Sequence, residues 1–254
     1  MSHTISIINQ KGGVGKTTTA QALGAGISLT GKKVLLVDLD PQGNLSKATG
    51  AATRGKTALE VITGKARAQD AIQTTPEAHI IAAGPGLGAD GILTRTGKEY
   101  RLVEALEPVK KMFDFIVIDC PPSLGVLSVN ALTAADYGSV PVQADRFSRE
   151  ARGQFYDTFT AVKKYTNKAL EIMGVLITRY NGRSVLSREA AEMIADKARE
   201  MGASTFTAKI REGIAVKEAQ MVSKSIFEYA PKSNAAADYM EFTKEVLHHA
   251  KENI

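Results

Sequence analysis

The chain has 254 residues, of which 44% are hydrophobic and 23% are charged, an ordinary balance for a soluble globular protein. No apolar run approaches the length of a membrane span, and the first predicted strand begins too early for a signal peptide. A single cysteine excludes an internal disulfide and the C-x-x-C pattern of iron–sulfur carriers, so we expect a cytoplasmic protein. The formal net charge of +5 permits a polyanionic partner but does not require one.

A glycine-rich loop is the first feature that predicts chemistry. Residues 5–8 predict a strand, residues 17–29 predict a helix, and residues 11–18 between them read KGGVGKTT. Glycines let backbone N–H groups converge on an anion, and the following helix adds its positive end. We therefore expect Lys16 to reach the β- and γ-phosphates of a nucleotide and the Thr17 hydroxyl to bind Mg²⁺.

Two positions depart from the general phosphate-loop pattern G-x-x-x-x-G-K-[ST]. Gln10 stands where the first glycine is usual, and a second lysine, Lys11, opens the loop. Lys11 lies too far back to serve the same phosphates as Lys16 from the same side, so we expect it to reach a nucleotide held by another copy of the chain. A glycine-rich turn without a ligand is the alternative, and the agreement of strand, loop and helix argues against it.

The second predicted strand ends in an acidic turn. Residues 34–37 form an apolar run suited to a parallel strand covered on both faces, and Asp38 and Asp40 follow it. Ligands bind outside the carboxyl ends of such strands, so both carboxylates should lie on the phosphate side. A carboxylate there can hold Mg²⁺, directly or through water, or orient the attacking water. The alternative is that both aspartates only stabilise turns.

Helices and strands alternate from there. A capping box formed by Thr57 and Glu60 predicts a short helix, which is followed by a strand at 78–83 and a helix at 97–111. Residues 115–118 form another apolar strand, and Asp119 after it is a further candidate Mg²⁺ ligand. Cys120 is interpreted as a small buried residue and not as a reactive thiol.

The C-terminal half continues the alternation. Strands are predicted at 137–142, 172–178 and 205–208, and helices at 148–165, 187–201 and 235–250. Phe155, Phe159 and Val162 lie at helical spacing and are interpreted as core residues. This alternation predicts an α/β fold, a doubly wound, mostly parallel sheet with helices on both faces. No linker or internal repeat divides the chain, so residues 1–254 are interpreted as a single domain.

Three segments resemble the ParA/MinD family, the ATPases with a deviant Walker A phosphate loop. They are KGGVGKTT at 11–18, DLDPQGN at 38–44 and IVIDCPPS at 116–123. Weaker matches at 140–143, 180–183 and 210–219 extend the resemblance over nearly the whole chain. Within the family, the sequence is most similar to ParA/Soj partition ATPases. Because the phosphate loop begins at residue 11, we expect the short form, without an N-terminal helix-turn-helix domain that reads an operator.

The resemblance implies a slow, partner-stimulated ATPase that uses ATP and Mg²⁺ and dimerises when ATP is bound. Lys11 of each chain would contact phosphates held by the other, and Gly12 would permit that close approach. Lys11, Lys16 and Asp40 are the implied catalytic residues, and Thr17, Asp40 and Asp119 are the implied Mg²⁺ ligands. In this mechanism Asp40 would position the attacking water, and Asp38 would have a structural, supporting role. The implied nucleotide-binding residues are Lys11, Gly12, Gly13, Val14, Gly15, Lys16, Thr17 and Thr18.

The resemblance also implies that the ATP-bound homodimer binds DNA without sequence preference on the nucleoid. A ParB-like centromere-binding partner would trigger hydrolysis, and the cycle would drive plasmid or chromosome partition. By motif position the implied DNA contacts are Arg183, Arg211, Lys217 and Lys224; ordinary surface charge is the alternative. The sequence departs from the family here, with IRE at 210–212 where Pro-Arg-Asn is expected and EAQMVS at 218–223 where Glu-Ala-Pro-Ser-Tyr/Phe-Gly is frequent.

Three other functions stay open. A MinD-like membrane ATPase needs a free amphipathic C-terminal helix, whereas residues 239–254 resemble the last helix of the fold, so we expect no stable membrane association. An ATPase that positions another cargo would share the chemistry and differ in its partner. A nucleotide-gated DNA scaffold with negligible hydrolysis would have no use for Asp40.

Overall fold

An eight-stranded sheet forms the centre of the molecule. The computed structural model describes residues 2–76, 78–89, 91, 93, 96–144 and 149–252, without the side chains of 149–154 and 252. In chain order the strands are β1 (His3–Ile7), β2 (Val34–Asp38), β3 (Ile72–Thr74), β4 (His79–Ile81), β5 (Phe115–Asp119), β6 (Tyr137–Gln143), β7 (Glu171–Tyr180) and β8 (Thr205–Arg211). They lie side by side in the order β3-β4-β2-β5-β1-β6-β7-β8, and β3 alone is antiparallel to its neighbour.

Helices cover both faces of this sheet, which confirms the predicted fold class. They are α1 (Lys16–Ser28), α2 (Asn44–Ala48), α3 (Ala58–Ile62), α4 (Ala68–Ala71), α5 (Arg101–Leu106), α6 (Val126–Ala134), α7 (Arg149–Tyr165), α8 (Val185–Glu200), α9 (Ile214–Met221), α10 (Ile226–Tyr229) and α11 (Asn234–Glu252). One core packs α1, α10 and α11 on the sheet, and the other packs α3 and α5 to α8. Among the described residues, no helix combines the length and the apolar character that crossing a membrane requires.

Most predicted elements are confirmed to within a few residues. The capping box is present, because the Thr57 side chain accepts from the Glu60 N–H and the Glu60 carboxylate accepts from the Thr57 N–H at 2.9 Å. The predicted core residues of α7, which are Phe155, Phe159 and Val162, are buried. Hydrophobic periodicity therefore located these elements correctly.

The single helix predicted at 97–111 is wrong. A short 3-10 turn at Lys98–Tyr100 leads into α5, and a second 3-10 turn follows at Lys110–Met112. Pro108 explains the interruption, since proline has no N–H to donate and its ring collides with the carbonyl four residues earlier. The apolar spacing continued through this proline and concealed the break.

Two strand lengths also differ from the prediction. The strand predicted at 78–83 is confined to β4, because only three of its residues pair with β2. The strand predicted at 205–208 continues to Arg211, since Lys209 and Arg211 still pair with Ile177 and Tyr180 of β7. Pairing partners on the neighbouring strand, and not local propensity, determine both lengths.

Carboxylates of α11 cover the outer edge of β8. The Glu245 carboxylate accepts hydrogen bonds from the Thr207 N–H at 2.8 Å and the Ala208 N–H at 2.7 Å. Asp238 accepts one from the Arg211 N–H at 2.9 Å. Exposed N–H groups on an edge strand are a template for pairing with another chain, so these carboxylates protect the sheet edge.

Helix α1 packs close to α11 because Gly26 has no side chain. A Cβ there would lie 2.4 Å from the Thr243 Oγ1 and 3.3 Å from a ring carbon of Phe227. We expect Gly26→Ala to lower the free energy of unfolding by about 1–3 kcal/mol, because overpacking outweighs the better helix propensity of alanine. Urea unfolding measures the change, and adding Thr243→Ala should recover part of it. An equal loss with and without the Thr243 side chain would contradict the steric cause.

Candidate active site

The glycine-rich loop connects β1 to α1 at the carboxyl edge of the sheet. Gly13 and Gly15 have φ angles of +74° and +92°, in the left-handed region that favours glycine. A Cβ built on Gly12 or Gly13 would meet no atom within 4 Å, so this side of the loop is open. Helix α1 begins at Lys16, which places its positive N-terminal end against the loop.

Side chains from two neighbouring strands hold the loop in place. The Gln143 amide at the end of β6 donates to the Gly13 carbonyl at 2.5 Å. The Thr178 hydroxyl in β7 donates to the Val14 carbonyl at 2.9 Å. These two bonds hold the carbonyls of Gly13 and Val14 against the sheet.

A cleft of about 590 Å³ opens beside this loop. Every residue from Gly12 to Thr18 contributes to its lining, together with Asp40. The opposite side is formed by the end of β8 and by α9, with Val216, Gln220 and Met221 among the lining residues. The predicted phosphate loop thus lines a cavity large enough for a small-molecule ligand.

Lys16 is buried at the base of the cleft, where it is 6% exposed. Its ammonium donates to the Lys11 carbonyl at 2.9 Å, and the Lys11 N–H donates to the Asn9 side chain. Burial lowers the pKa of Lys16, and the nearby Asp119 carboxylate is the largest opposing influence. An ammonium held on a neutral carbonyl gains a stronger, charge-assisted bond when a phosphate oxygen replaces that partner.

Two carboxylates face each other at the ends of adjacent strands. Asp38 of β2 and Asp119 of β5 are register partners, and both are fully buried. Asp38 accepts hydrogen bonds from the Ser46 N–H at 2.8 Å, the Ser46 hydroxyl at 2.7 Å and the Asp40 N–H at 3.1 Å. Burial raises the pKa of Asp38 to about 6. These bonds tie its carboxylate to the turn that follows β2, between Asp40 and Ser46.

Asp119 differs from Asp38 in its surroundings. Neither of its carboxylate oxygens has a hydrogen-bond partner among the described residues. Burial and the Asp38 carboxylate raise the pKa of Asp119, and the nearby Thr17 hydroxyl opposes the shift. A buried carboxylate with unsatisfied acceptors beside a threonine hydroxyl is a chemically suitable ligand set for Mg²⁺.

Asp40 completes the acidic side of the cleft. It is 6% exposed, and its Oδ1 accepts from the Gln42 N–H at 2.9 Å. In the described part of the chain, no group of three or more His, Cys, Asp or Glu side chains is placed to hold a metal ion. Mg²⁺ commonly binds through one or two carboxylates plus substrate phosphates, so a nucleotide would be expected to supply the remaining ligands here.

The four predicted DNA contacts lie in different parts of the structure. Arg183 is exposed in the segment between β7 and α8, and Lys217 is exposed on α9. Arg211 is paired with Asp238 at 2.5 Å, and Lys224 with Glu228 at 2.6 Å. Arg211 and Lys217 also line the cleft. The structure therefore brings two of these four residues to the cleft and places Arg211 in an ion pair that the sequence did not predict.

Several residues that line the cleft or bond to the phosphate loop received no role from the sequence. Gln143 lies in one of the weaker family motifs, and Thr178 ends a predicted strand, but neither position indicated a bond to the loop. Arg179 lines the cleft with a φ of +50°, which is unusual for a residue other than glycine. Gln220 donates to the Thr18 hydroxyl at 3.0 Å. The EAQMVS departure at 218–223 was the only sequence signal at that position.

Known proteins are similar to this chain both in sequence and in fold. A family model described as "AAA domain" matches residues 2–172. The sporulation initiation inhibitor protein Soj of Bacillus subtilis is 39% identical over 252 residues, which cover 97% of this chain and 98% of that protein. The chain belongs to the ParA/Soj family of partition ATPases. The chromosome-partitioning ATPase Soj of Treponema pallidum is a further relative of this ParA/Soj protein, 36% identical over 97% of this chain and 98% of that protein.

A solved structure extends the likeness to three dimensions. The crystal structure of cobyrinic acid a,c-diamide synthase from Mycobacterium smegmatis, with bound ADP and magnesium, has a TM-score of 0.88 and 35% identity to this ParA/Soj family member. The match covers 100% of this chain and 97% of that chain. It confirms the predicted phosphate-loop ATPase fold.

Asp119 and Asp38 make a matched pair for mutation. Asp119→Asn removes the repulsion between this buried carboxylate and Asp38, so we expect the free energy of unfolding of the ligand-free protein to rise by about 1–2 kcal/mol. Asp38→Asn replaces one of two acceptor oxygens with an amide donor, so at least one of the three hydrogen bonds is lost and that free energy should fall by about 1–3 kcal/mol. The Mg²⁺ concentration for half-maximal nucleotide binding should rise about 10- to 100-fold in Asp119→Asn. Denaturant unfolding and magnesium titration measure these effects; changes of the same sign in stability would contradict the assignment.

Proposed function

We propose that this protein is an ATP-driven switch: ATP joins two copies, the dimer binds DNA without sequence preference, and hydrolysis releases it. The observation that carries the proposal is the buried, unsatisfied Asp119 carboxylate beside Thr17 and Lys16 in a glycine-rich loop. ATP and Mg²⁺ are its cofactors. A ParB-like partner stimulates the slow intrinsic hydrolysis, and the cycle moves or positions a plasmid or chromosome.

Each residue of the cleft has a distinct role in this proposal. The N–H groups of residues 13–18 and the Lys16 ammonium bind the phosphates, while Thr17 and Asp119 would hold Mg²⁺. The ion, when bound, neutralises charge on the phosphates. Asp40 lines the same cleft and positions the attacking water. Phosphoryl transfer depends mainly on positioning and charge neutralisation, so an incomplete site hydrolyses ATP slowly.

A second copy of the chain completes the site. Gly12 and Gly13 present an open face, because a Cβ on either residue would have no atom within 4 Å, and this space allows another protomer to approach closely. Lys11 lies at the start of this face, and its backbone is held by Asn9 and by the Lys16 ammonium. In the dimer, its side chain contacts the phosphates bound by the other protomer. The γ-phosphate thereby controls dimerisation, and its loss separates the two copies.

Two lysines test this arrangement separately. Lys11→Ala should leave nucleotide binding by the monomer unchanged and weaken ATP-dependent dimerisation at least about tenfold, because a charge-assisted bond is lost from each half of the interface. Lys16→Ala should abolish nucleotide binding itself. Nucleotide affinity is measured by calorimetry, and dimerisation with a slowly hydrolysed ATP analogue by analytical ultracentrifugation. Lys65→Ala, an exposed site remote from the loop, is the control. Normal dimerisation of Lys11→Ala would refute the proposed contact.

Two other activities fit this chain less well. A membrane anchor in α11 would have to expose Tyr239, Phe242 and Val246, which are buried against the rest of the fold. An amide synthase that releases ammonia from glutamine needs an accessible thiolate. The only cysteine of the sequence, Cys120, is fully buried, and burial raises its pKa. Both observations favour the partition switch.

The DNA contacts are tested by reversing charge. Arg183→Glu should weaken DNA binding by the ATP-bound dimer about equally for all sequences and reduce the slope of log affinity against log salt by about one for each protomer. Arg211→Glu should have a smaller specific effect, because its guanidinium already pairs with Asp238, and should also lower stability. Fluorescence anisotropy at several salt concentrations measures affinity. Arg199→Glu, the same charge change at the far end of α8, is the control; an equal effect there would show that only net charge matters.

A further inference from the structure

One side-chain contact joins α9 to the phosphate loop. The Gln220 Nε2 donates to the Thr18 Oγ1 at 3.0 Å, across 202 residues of sequence. Both residues line the cleft, and the contact is partly buried. Thr18 follows Thr17 in the first turn of α1. Gln220 therefore acts on the part of the loop where phosphates are expected to lie.

The direction of this bond constrains the threonine hydroxyl. A threonine hydroxyl has one hydrogen to donate and two lone pairs that accept. Because the Gln220 amide occupies a lone pair, the hydroxyl hydrogen of Thr18 is directed to a different acceptor. A phosphate oxygen in the cleft is such an acceptor, and a bond to a charged oxygen is stronger than one to a neutral oxygen.

Helix α9 is held firmly enough to keep Gln220 in position. The Ser223 hydroxyl donates to the Lys47 carbonyl at 2.9 Å, with Ser223 in the left-handed region at a φ of +53°. The Gln21 amide donates to the Lys224 carbonyl at 3.2 Å and to the Ala48 carbonyl at 2.9 Å. These bonds attach the segment that directly follows α9 to α1 and α2. They fix the backbone that carries Gln220 relative to the loop.

We propose that Gln220 is a positioning residue for the nucleotide phosphates, which holds the Thr18 hydroxyl so that its hydrogen is donated into the cleft. The inference rests on the proposed function, since it requires a nucleotide there. A contact made equally to ADP and ATP changes affinity more than turnover.

The test compares three substitutions in the full chain. Gln220→Met keeps the length of the side chain and removes the donor, so ADP affinity in the presence of Mg²⁺ should fall about three- to tenfold. Gln220→Glu places an acceptor beside the Thr18 hydroxyl and adds negative charge to the cleft, so the loss should be larger. Gln69→Met, exposed on α4 outside the cleft, should leave affinity unchanged. The kcat of ATP hydrolysis should stay within about twofold for Gln220→Met.

A double-mutant cycle separates positioning from a general structural effect. In a Thr18→Val background, Gln220→Met should cause no further loss of ADP affinity, whereas in Thr18→Ser, which keeps the hydroxyl, the loss should persist. Full affinity in Gln220→Met, or losses that add completely in the Thr18→Val background, would overturn the proposal. If the wild-type chain bound neither ADP nor ATP, the proposed function itself would fail. Thermal unfolding of each variant confirms that affinities refer to folded protein.

Discussion

The site depends on the pairing of two buried carboxylates at the ends of β2 and β5. A parallel register brings Asp38 and Asp119 opposite each other, where their charges repel in a region of low dielectric. Asp38 accepts three hydrogen bonds, whereas Asp119 has no hydrogen-bond partner among the described residues. One carboxylate therefore builds the loop that carries Asp40, while the other retains its acceptors for a cation. This division explains how two carboxylates on neighbouring strands can take different roles beside one cleft.

The phosphate loop is held by strands that are distant in sequence. Gln143 and Thr178 bond to consecutive loop carbonyls from β6, which lies beside β1 in the sheet, and from β7, the next strand. Such preorganisation reduces the conformational entropy that the loop loses when a ligand binds. Pro141 is tolerated in the central strand β6 because pairing with β1 ends at Ser139. Beyond Ser139 the end of β6 is no longer paired with β1, and its Gln143 side chain reaches the loop.

The region around β8 serves both the fold and the proposed DNA interface. Asp238 and Glu245 close the sheet edge by accepting backbone N–H groups, and Asp238 also holds the Arg211 guanidinium. An arginine in such a pair contributes less to a phosphate surface than an arginine without one, since the carboxylate already neutralises it. Arg183 lies outside this arrangement, so the proposed DNA contact at Arg183 and the protection of the sheet edge involve different residues.

From the sequence alone one could predict the phosphate loop, locate the strands that carry Asp38 and Asp119, and recognise the alternation of strands and helices. These signals are local in the chain. The sequence did not reveal α6, whose residues are buried on nearly all sides and show no single apolar face, nor the break at Pro108. Only the tertiary structure decided that Gln143, Thr178 and Gln220 contact the phosphate loop. Those bonds join residues 130 to 202 positions apart, and strand order and helix packing, which no local pattern encodes, bring them together.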